Sequence, residues 1–278
     1  MSNTSKGWRR KGSKFWMQMV ACFPVLEKEL IRQIMKAEGA KANSMTLEWI
    51  SPRADENLEE YELKSRKLKE RLGIPDGFWD TWKGTNLPFW ANRQPQWDGI
   101  AYCKASKTLY LIEAKAHLSE TYTQIQINMD SKRSLDSFEV RRASLQHTRK
   151  SFEKNNPGIG REETWWDGKL ADKVHPGEKF YYQLGNRLAF LKFMNEKVNE
   201  ISPDVENVKL ILLNFADDYT LDDNSKGISL AASIEEWEKH YEMVWSEMTG
   251  SPSAPDNVLV INYSVKDVPV TEFERRLR

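Results

Sequence analysis

Two carboxylates and a lysine occur close together in one short stretch, QWDGIAYCKASKTLYLIEAKAH. The stretch predicts two strands, 97–102 and 109–116, separated by a break of polar and small residues. If Ala105-Ser106 forms a two-residue loop, the numbers of paired residues have a constant sum, and Asp98 lies directly opposite Glu113. The two carboxylates then share one face of a sheet.

This arrangement suits a divalent cation. Side chains directly opposite one another have Cβ atoms about 4.5–5.5 Å apart, so Asp98 and Glu113 would repel each other at neutral pH unless a cation lay between them. Two carboxylate oxygens and a backbone carbonyl, such as that of Ala114, are ligands that Mg²⁺ accepts while keeping several waters. The residue types therefore predict a Mg²⁺ or Mn²⁺ site.

Lys115 adds a cation to the same face. Strand side chains alternate, so Lys115 points to the side of Glu113, and Gln96 is expected across from Lys115. An amine in that position can orient or help to deprotonate a metal-bound water, or stabilise the charge on an attacked phosphate. The structural alternative is a simple ion pair between Glu113 and Lys115 at a sheet edge. Against that alternative, LYLIEAKA is apolar on both faces apart from these two residues, which is typical of a buried strand where charges are costly.

The residues Asp98 and Glu113-Ala114-Lys115, the second group ending a hydrophobic strand, resemble the signature of the PD-(D/E)XK nuclease superfamily. The longer strings WDGIA, LIEAKAH and YYQLGNRLAFL resemble a bacterial group within that superfamily. The leading proline of the signature is absent, because Trp97 precedes Asp98. The resemblance covers roughly residues 45–215.

The resemblance implies a restriction endonuclease-like fold, an α/β mixed sheet with an αβββαβ core flanked by helices. It also implies a metal-dependent nuclease that hydrolyses phosphodiester bonds, with nucleic acid as partner and DNA ahead of RNA. Asp98 and Glu113 would hold Mg²⁺ or Mn²⁺, and Lys115 would position the attacking water. The alternative is a catalytically silent nucleic-acid-binding or assembly module of the same fold.

Further site residues come from the same resemblance. Members of the superfamily often place another acid on a helix before the first metal ligand, and Glu60 is the first candidate, ahead of Glu48 and Glu27. A helix after the second strand often lends a polar residue, which would be Gln183. One turn further, Arg187 is expected to hold a phosphate.

Basic residues after the hairpin are expected to contact the backbone of nucleic acid. The region 118–154 predicts a long polar helix, broken near residues 131–134, and it carries more basic than acidic residues in its second half. Arg141 and Arg142 are the chosen phosphate contacts there, and His117 is expected on the active face. The alternative is an ordinary exposed helix with i,i+4 ion pairs.

The remaining pattern predicts a single domain, 1–278, with a basic N-terminal arm at about 1–14. Apolar periodicity predicts helices at 25–37, 57–72, 179–199 and 234–248, and strands at 45–50, 208–215 and 258–265.

Composition limits the other classes of function. The 278 residues carry no net charge, so any binding of nucleic acid must come from local patches. No apolar run approaches the ~18–20 residues that span a bilayer, and we expect a cytoplasmic protein with no membrane partner. Its two cysteines, Cys22 and Cys103, are expected to be reduced, and a disulfide between them is the alternative. A homodimer or a recruiting protein partner stays open.

Overall fold

A computed structural model describes residues 8–39, 45–80, 82, 88–125, 127–128, 130–153, 162–166, 179–221 and 230–270. Its helices are α1 Gly12–Cys22, α2 Pro24–Glu38, α3 Arg66–Leu72, α4 Lys132–Glu153, α5 Tyr182–Glu196 and α6 Ile234–Thr249. Its strands are β1 Glu48–Ser51, β2 Tyr61–Glu62, β3 Gln96–Trp97, β4 Gly99–Cys103, β5 Thr108–Lys115, β6 Asn207–Ala216 and β7 Val258–Ser264.

The main sheet has five strands in the order β1-β4-β5-β6-β7. Strands β1, β4 and β5 pair antiparallel, whereas β5, β6 and β7 pair parallel. Helices lie against both faces of this sheet. The expectation of a mixed α/β sheet flanked by helices is therefore confirmed.

All eight residues of β5 are buried, and its alternate side chains enter two different cores. Tyr110, Ile112 and Ala114 pack with α1 and α2 in one core. Leu109 and Leu111 pack with α5 and α6 in the other. A central strand covered on both faces explains why its sequence is almost continuously apolar.

The predicted hairpin register is confirmed along β4 and β5. Gly99 pairs with Ile112 and Cys103 with Thr108, and both pairs have the expected sum of residue numbers. The Lys107 N–H donates to the Lys104 carbonyl (3.4 Å), which closes the two-residue loop.

The hairpin departs from the prediction just before Gly99. Gln96 and Trp97 form β3, which pairs with β2 in a separate two-stranded sheet, and Gln96 faces Glu62 rather than Lys115. The placement of Gln96 across from Lys115 was wrong, because the chain changes sheets at this point. Asp98 lies at the junction of the two sheets.

The predicted helix at 57–72 was also wrong in its first half. Asn57 and Leu58 both have φ of 55°, a left-handed conformation that ends the preceding helical turn. The chain then enters β2, and only Arg66–Leu72 is helical. Glu60 therefore precedes a strand and does not lie on a helix.

The predicted helices at 25–37, 179–199 and 234–248 and the strands at 45–50, 208–215 and 258–265 agree within a few residues, but the helix at 118–154 does not. The long helix expected from 118 begins only at Lys132, after a 3-10 turn at Leu118–Thr121. Of the N-terminal arm, residues 1–7 lie outside the described part, and Gly12 to Lys14 already belong to α1. Among the described residues, no helix has the length and apolar character needed to cross a membrane.

Candidate functional site

Glu113 and Lys115 lie side by side on β5, as the alternation of the strand predicts. The Glu113 side chain is only 3% exposed, and the Lys115 Nζ contacts its Oε1. Two buried charges at the carboxyl end of a central strand form the centre of the candidate site.

Arg187 binds the other oxygen of Glu113. Its Nε and Nη2 lie 2.6 and 2.5 Å from Oε2, and Nη2 also donates to the Gln96 carbonyl at 2.8 Å. The guanidinium stacks on the Trp97 ring at 4.4 Å from its centroid. Arg187 was predicted as a phosphate contact, but it is buried and held by Glu113. Its described contacts are with Glu113, the Gln96 carbonyl and the Trp97 ring.

Asp98 reaches the same region from the other strand of the hairpin. Its Oδ2 accepts a hydrogen bond from the Ala114 N–H at 2.8 Å. The sequence suggested the Ala114 carbonyl as a metal ligand, whereas the contact in the structure is made by its amide. The bend at Asp98 therefore turns its carboxylate onto the backbone of β5.

The two carboxylates have opposite electrostatic environments. Burial, with a further contribution from the charges of Glu113 and Glu60, raises the pKa of Asp98 to about 7, although Lys115 and the Ala114 amide oppose this. Burial alone would also raise the pKa of Glu113, but Arg187 and Lys115 hold it below its ordinary value. Within the described residues, Asp98 thus forms no ion pair of its own, whereas Glu113 forms two.

Glu60 lies near this carboxylate even though its predicted helix does not form. It pairs with Lys14 of α1, with the Nζ 2.5 Å from Oε1, and its charge contributes to the raised pKa of Asp98. The two other candidates lie elsewhere. Glu27 accepts a hydrogen bond from the Trp49 indole at 2.8 Å, and Glu48 is exposed on the outer strand β1.

Gln183 contacts the site as predicted. Its Oε1 accepts a hydrogen bond from the Lys115 Nζ at 3.1 Å. Its backbone N–H donates to the Thr123 hydroxyl at 2.7 Å, which fixes the first turn of α5. Because Gln183 and Arg187 are four residues apart on this helix, both reach the charged end of β5.

His117 does not extend the active face of the strand. β5 ends at Lys115, and the His117 Nδ1 lies 2.7 Å from the Ser119 hydroxyl in the following turn. Sequence reasoning missed Glu120, whose Oε1 accepts hydrogen bonds from the N–H groups of Ala116 (3.0 Å) and His117 (3.2 Å). This acid closes the turn that ends the strand.

Arg141 and Arg142 point to different surroundings. The Arg141 Nη1 donates to the Tyr182 hydroxyl at 3.0 Å, and both residues line a cavity of about 400 Å³. The Arg142 guanidinium lies 5.8 Å from the centre of the Trp166 ring. Trp166 is 2% exposed and packs in the core. Both arginine side chains are partly exposed, and their contact with phosphate stays a prediction.

The donor set fits a hard divalent cation. Asp98 and Glu113 supply carboxylate oxygens. The pKa of Asp98 is raised first by burial and then by the charge of Glu113, and a cation bound between the two acids would oppose both effects. Within the described ranges, no three histidine, cysteine, aspartate or glutamate side chains form a complete metal cluster. A bound Mg²⁺ or Mn²⁺ would therefore keep several waters, as Mg²⁺ commonly does.

The chain was compared with protein-family models, with curated proteins and with solved structures, and none of the three comparisons finds a match.

Proposed function

We propose that the protein is a metal-dependent nuclease of the PD-(D/E)XK type, acting on nucleic acid and on DNA ahead of RNA. The observation that carries the proposal is the buried set Asp98, Glu113 and Lys115 at the end of β5, in which one carboxylate has a pKa raised to about 7. Such a perturbed group beside a buried lysine is typical of a catalytic site.

Each residue has a distinct role in this proposal. Asp98 and Glu113 would hold Mg²⁺ or Mn²⁺, which supplies an activated water and neutralises charge on the phosphate. The Lys115 ammonium orients the attacking water and stabilises the charge that develops on the phosphate oxygens. Gln183 holds this ammonium through its side-chain oxygen, and Arg187 fixes the Glu113 carboxylate.

The order of elements supports the restriction endonuclease-like core. Helix α2, strand β1, the β4–β5 hairpin, helix α5 and strand β6 occur in this order along the chain, with other elements between them. The β2–β3 sheet and α3 are additions between the first strand and the hairpin, and α4 is an addition between the hairpin and α5.

The test is cleavage by purified wild type and Lys115→Met, with supercoiled plasmid, circular single-stranded DNA, linear duplex and structured RNA as substrates. Each substrate is incubated with EDTA, Mg²⁺ or Mn²⁺. We expect wild-type cleavage that requires the metal, and a loss of at least about 100-fold in Lys115→Met, because removing one electrostatic stabiliser commonly costs that much.

Lys209→Met is the matched control. Lys209 lies on the neighbouring strand β6 and also forms a partly buried ion pair, with its Nζ 2.7 Å from Glu38. This variant should cleave like the wild type. Metal-independent cleavage, or equal loss in both variants, would contradict the proposed role of Lys115.

One observation favours a second candidate, a silent nucleic-acid-binding module of the same fold. Both oxygens of Glu113 are bound by cationic side chains, so this acid is neutralised without a metal. The module predicts that DNA binds with the same affinity in EDTA and in Mg²⁺ and is never cut. The nuclease predicts that Mg²⁺ raises the melting temperature of the wild type and has less effect on Asp98→Asn.

A further inference from the structure

A basic cavity adjoins the candidate site along helix α5. Its wall includes Arg93, Arg133 and Arg141, and the described residues that line it include no acid. Its volume is about 400 Å³. Three guanidinium-bearing side chains around one cavity form a strong local positive potential in a chain that has no net charge.

No carboxylate in the described part of the chain neutralises these arginines. Arg93 and Arg133 are exposed, and within the described residues neither forms an ion pair with a carboxylate. Arg141 is held by hydrogen bonds to neutral groups, the Ser137 carbonyl (3.0 Å) and the Tyr182 hydroxyl (3.0 Å). Most other arginines with described partners pair with acids, so the positive charge of this cavity is available to an external anion.

Neutral polar groups complete the lining. Arg141 donates to the oxygen of Tyr182, which leaves the hydroxyl hydrogen of Tyr182 free to donate to a ligand. Asn186 is 6% exposed, and its Oδ1 is buried with no hydrogen-bond partner among the described residues. This acceptor can bind a water but not an anion, so the donors toward an anion are the arginine guanidiniums and the Tyr182 hydroxyl. The cavity therefore has the donors and the space for a solvated anion.

Helix α5 fixes where this cavity lies relative to the charged end of β5. Tyr182 and Asn186 line the cavity, and the next residue after each of them, Gln183 and Arg187, contacts Lys115 or Glu113. Tyr182 and Asn186 lie one turn apart along one side of α5, and Gln183 and Arg187 lie one turn apart along the neighbouring side. An anion in the cavity would therefore lie beside the proposed cleavage site.

We propose that this cavity binds a phosphate group of the nucleic-acid strand that enters the site, next to the phosphate that is cut. The proposal rests on the proposed function for its substrate class, and its chemistry is that of guanidinium groups binding phosphate oxygens. The bound phosphate is either an internal diester or a terminal 5′ monoester. Both present the same oxygens to the arginines.

The test measures binding without cleavage. A fluorescein-labelled single-stranded DNA is titrated in EDTA, at several salt concentrations between about 50 and 200 mM. The variant Arg93→Gln/Arg133→Gln should bind about tenfold more weakly at the lowest salt. Its slope of log K against log salt should be smaller by about 0.7, the contribution of one phosphate contact on a single strand.

Lys28→Gln/Lys36→Gln is the matched control. It removes the same charge from two exposed lysines of α2, on the opposite face of the sheet. This variant should keep the wild-type slope and affinity. An equal change in both double variants, or no change in Arg93→Gln/Arg133→Gln, would overturn the proposed cavity site.

Two strands distinguish the source of the phosphate, one with a 5′-phosphate and one with a 5′-hydroxyl. If the cavity takes the terminal group, wild type binds the phosphorylated strand more tightly, and the arginine variant loses this difference. If it takes an internal phosphate, the variant weakens both strands equally. Because no cleavage is needed, failure of the nuclease proposal in the plasmid assay leaves this result unaffected.

Discussion

The two faces of β5 differ in the polarity of the side chains that they bury. On the face toward α1 and α2, Tyr110, Ile112 and Ala114 pack in an apolar core. On the face toward α5, an apolar beginning gives way to Glu113 and Lys115, which are buried with charge. Apolar packing on the first face stabilises the central strand. Burying charged side chains at the end of the second face costs desolvation free energy, so stability alone does not favour it.

The two faces also differ in the free energy that their buried side chains contribute to folding. Ion pairs in a protein interior often contribute no more stability than well-packed apolar residues of similar size, because desolvation offsets the attraction between the charges. Folding stability therefore does not explain why Glu113, Lys115 and Arg187 are buried together. The predictions below test whether the two faces differ in this way.

The largest stability effect is expected from Glu113→Ala. This change leaves Lys115 and Arg187 buried without their carboxylate, and removing one member of a buried pair costs about 3–5 kcal/mol of unfolding free energy. Urea denaturation measures the change. Ile112→Val on the opposite face is the control, with an expected cost of about 0.5–1.5 kcal/mol.

A second variant tests whether the three buried charges stabilise the fold as a group. A triple variant, Glu113→Leu/Lys115→Met/Arg187→Met, removes all three charges together and should recover most of the stability lost in Glu113→Ala. If the triple variant is as unstable as Glu113→Ala, the charged side chains at the end of β5 stabilise the fold.

Asp98→Asn should show a pH-dependent gain in stability. The pKa of Asp98 is about 7 in the folded protein, above the unfolded value of about 3.9, so the folded state binds the proton more tightly. The contribution of Asp98 to stability therefore falls as pH rises from about 4 to about 7, by on the order of 2–4 kcal/mol.

Thermal melting of both proteins between pH 5 and pH 8 measures this effect, with pH steps chosen around the pKa of about 7. The melting temperature of Asp98→Asn should exceed that of wild type by a margin that grows with pH, and Mg²⁺ should reduce the margin. Parallel curves would show that Asp98 is not destabilised by its surroundings.

Arg187→Lys should cost about 1–3 kcal/mol of unfolding free energy. Lysine keeps the charge near Glu113, but it lacks the planar group that contacts Glu113, the Gln96 carbonyl and the Trp97 ring together. Arg32→Lys, in the exposed pair with Glu29, should change stability by less than about 0.5 kcal/mol. Equal effects would argue against a positioning role for Arg187.

The smallest effect is expected from Gln183→Ala. This change removes one hydrogen bond of 3.1 Å to Lys115, worth about 1 kcal/mol. Metal-dependent cleavage should fall by less than in Lys115→Met, because the ammonium stays in place. If Gln183→Ala loses as much cleavage activity as Lys115→Met, then Gln183 contacts the substrate directly and does not act only through Lys115.

Local periodicity explains what the sequence predicted correctly. The two-residue loop and the alternation of side chains sufficed to fix the β4–β5 register, and hence the shared face of Glu113 and Lys115. Both properties depend on residues close together in the chain. The mixed sheet and the helix carrying Gln183 followed from equally local patterns.

Long-range pairing explains what the sequence did not predict. The bend at Asp98 arises because Trp97 pairs with Tyr61 in another sheet. The partner of Arg187 depends on how α5 packs against β5, which no local pattern reports. Glu60 was selected from an apparent helix that left-handed residues interrupt, yet its charge still acts on Asp98.

The contacts made by α1 have a consequence for how the molecule folds. Ser13 donates to Glu120 across 107 residues of sequence, and Lys14 pairs with Glu60. Contacts of such separation close long loops and slow folding, so they are expected to form late. The hairpin can acquire its register early, whereas Glu60 and Glu120 gain their partners on α1 only when the first helix has docked.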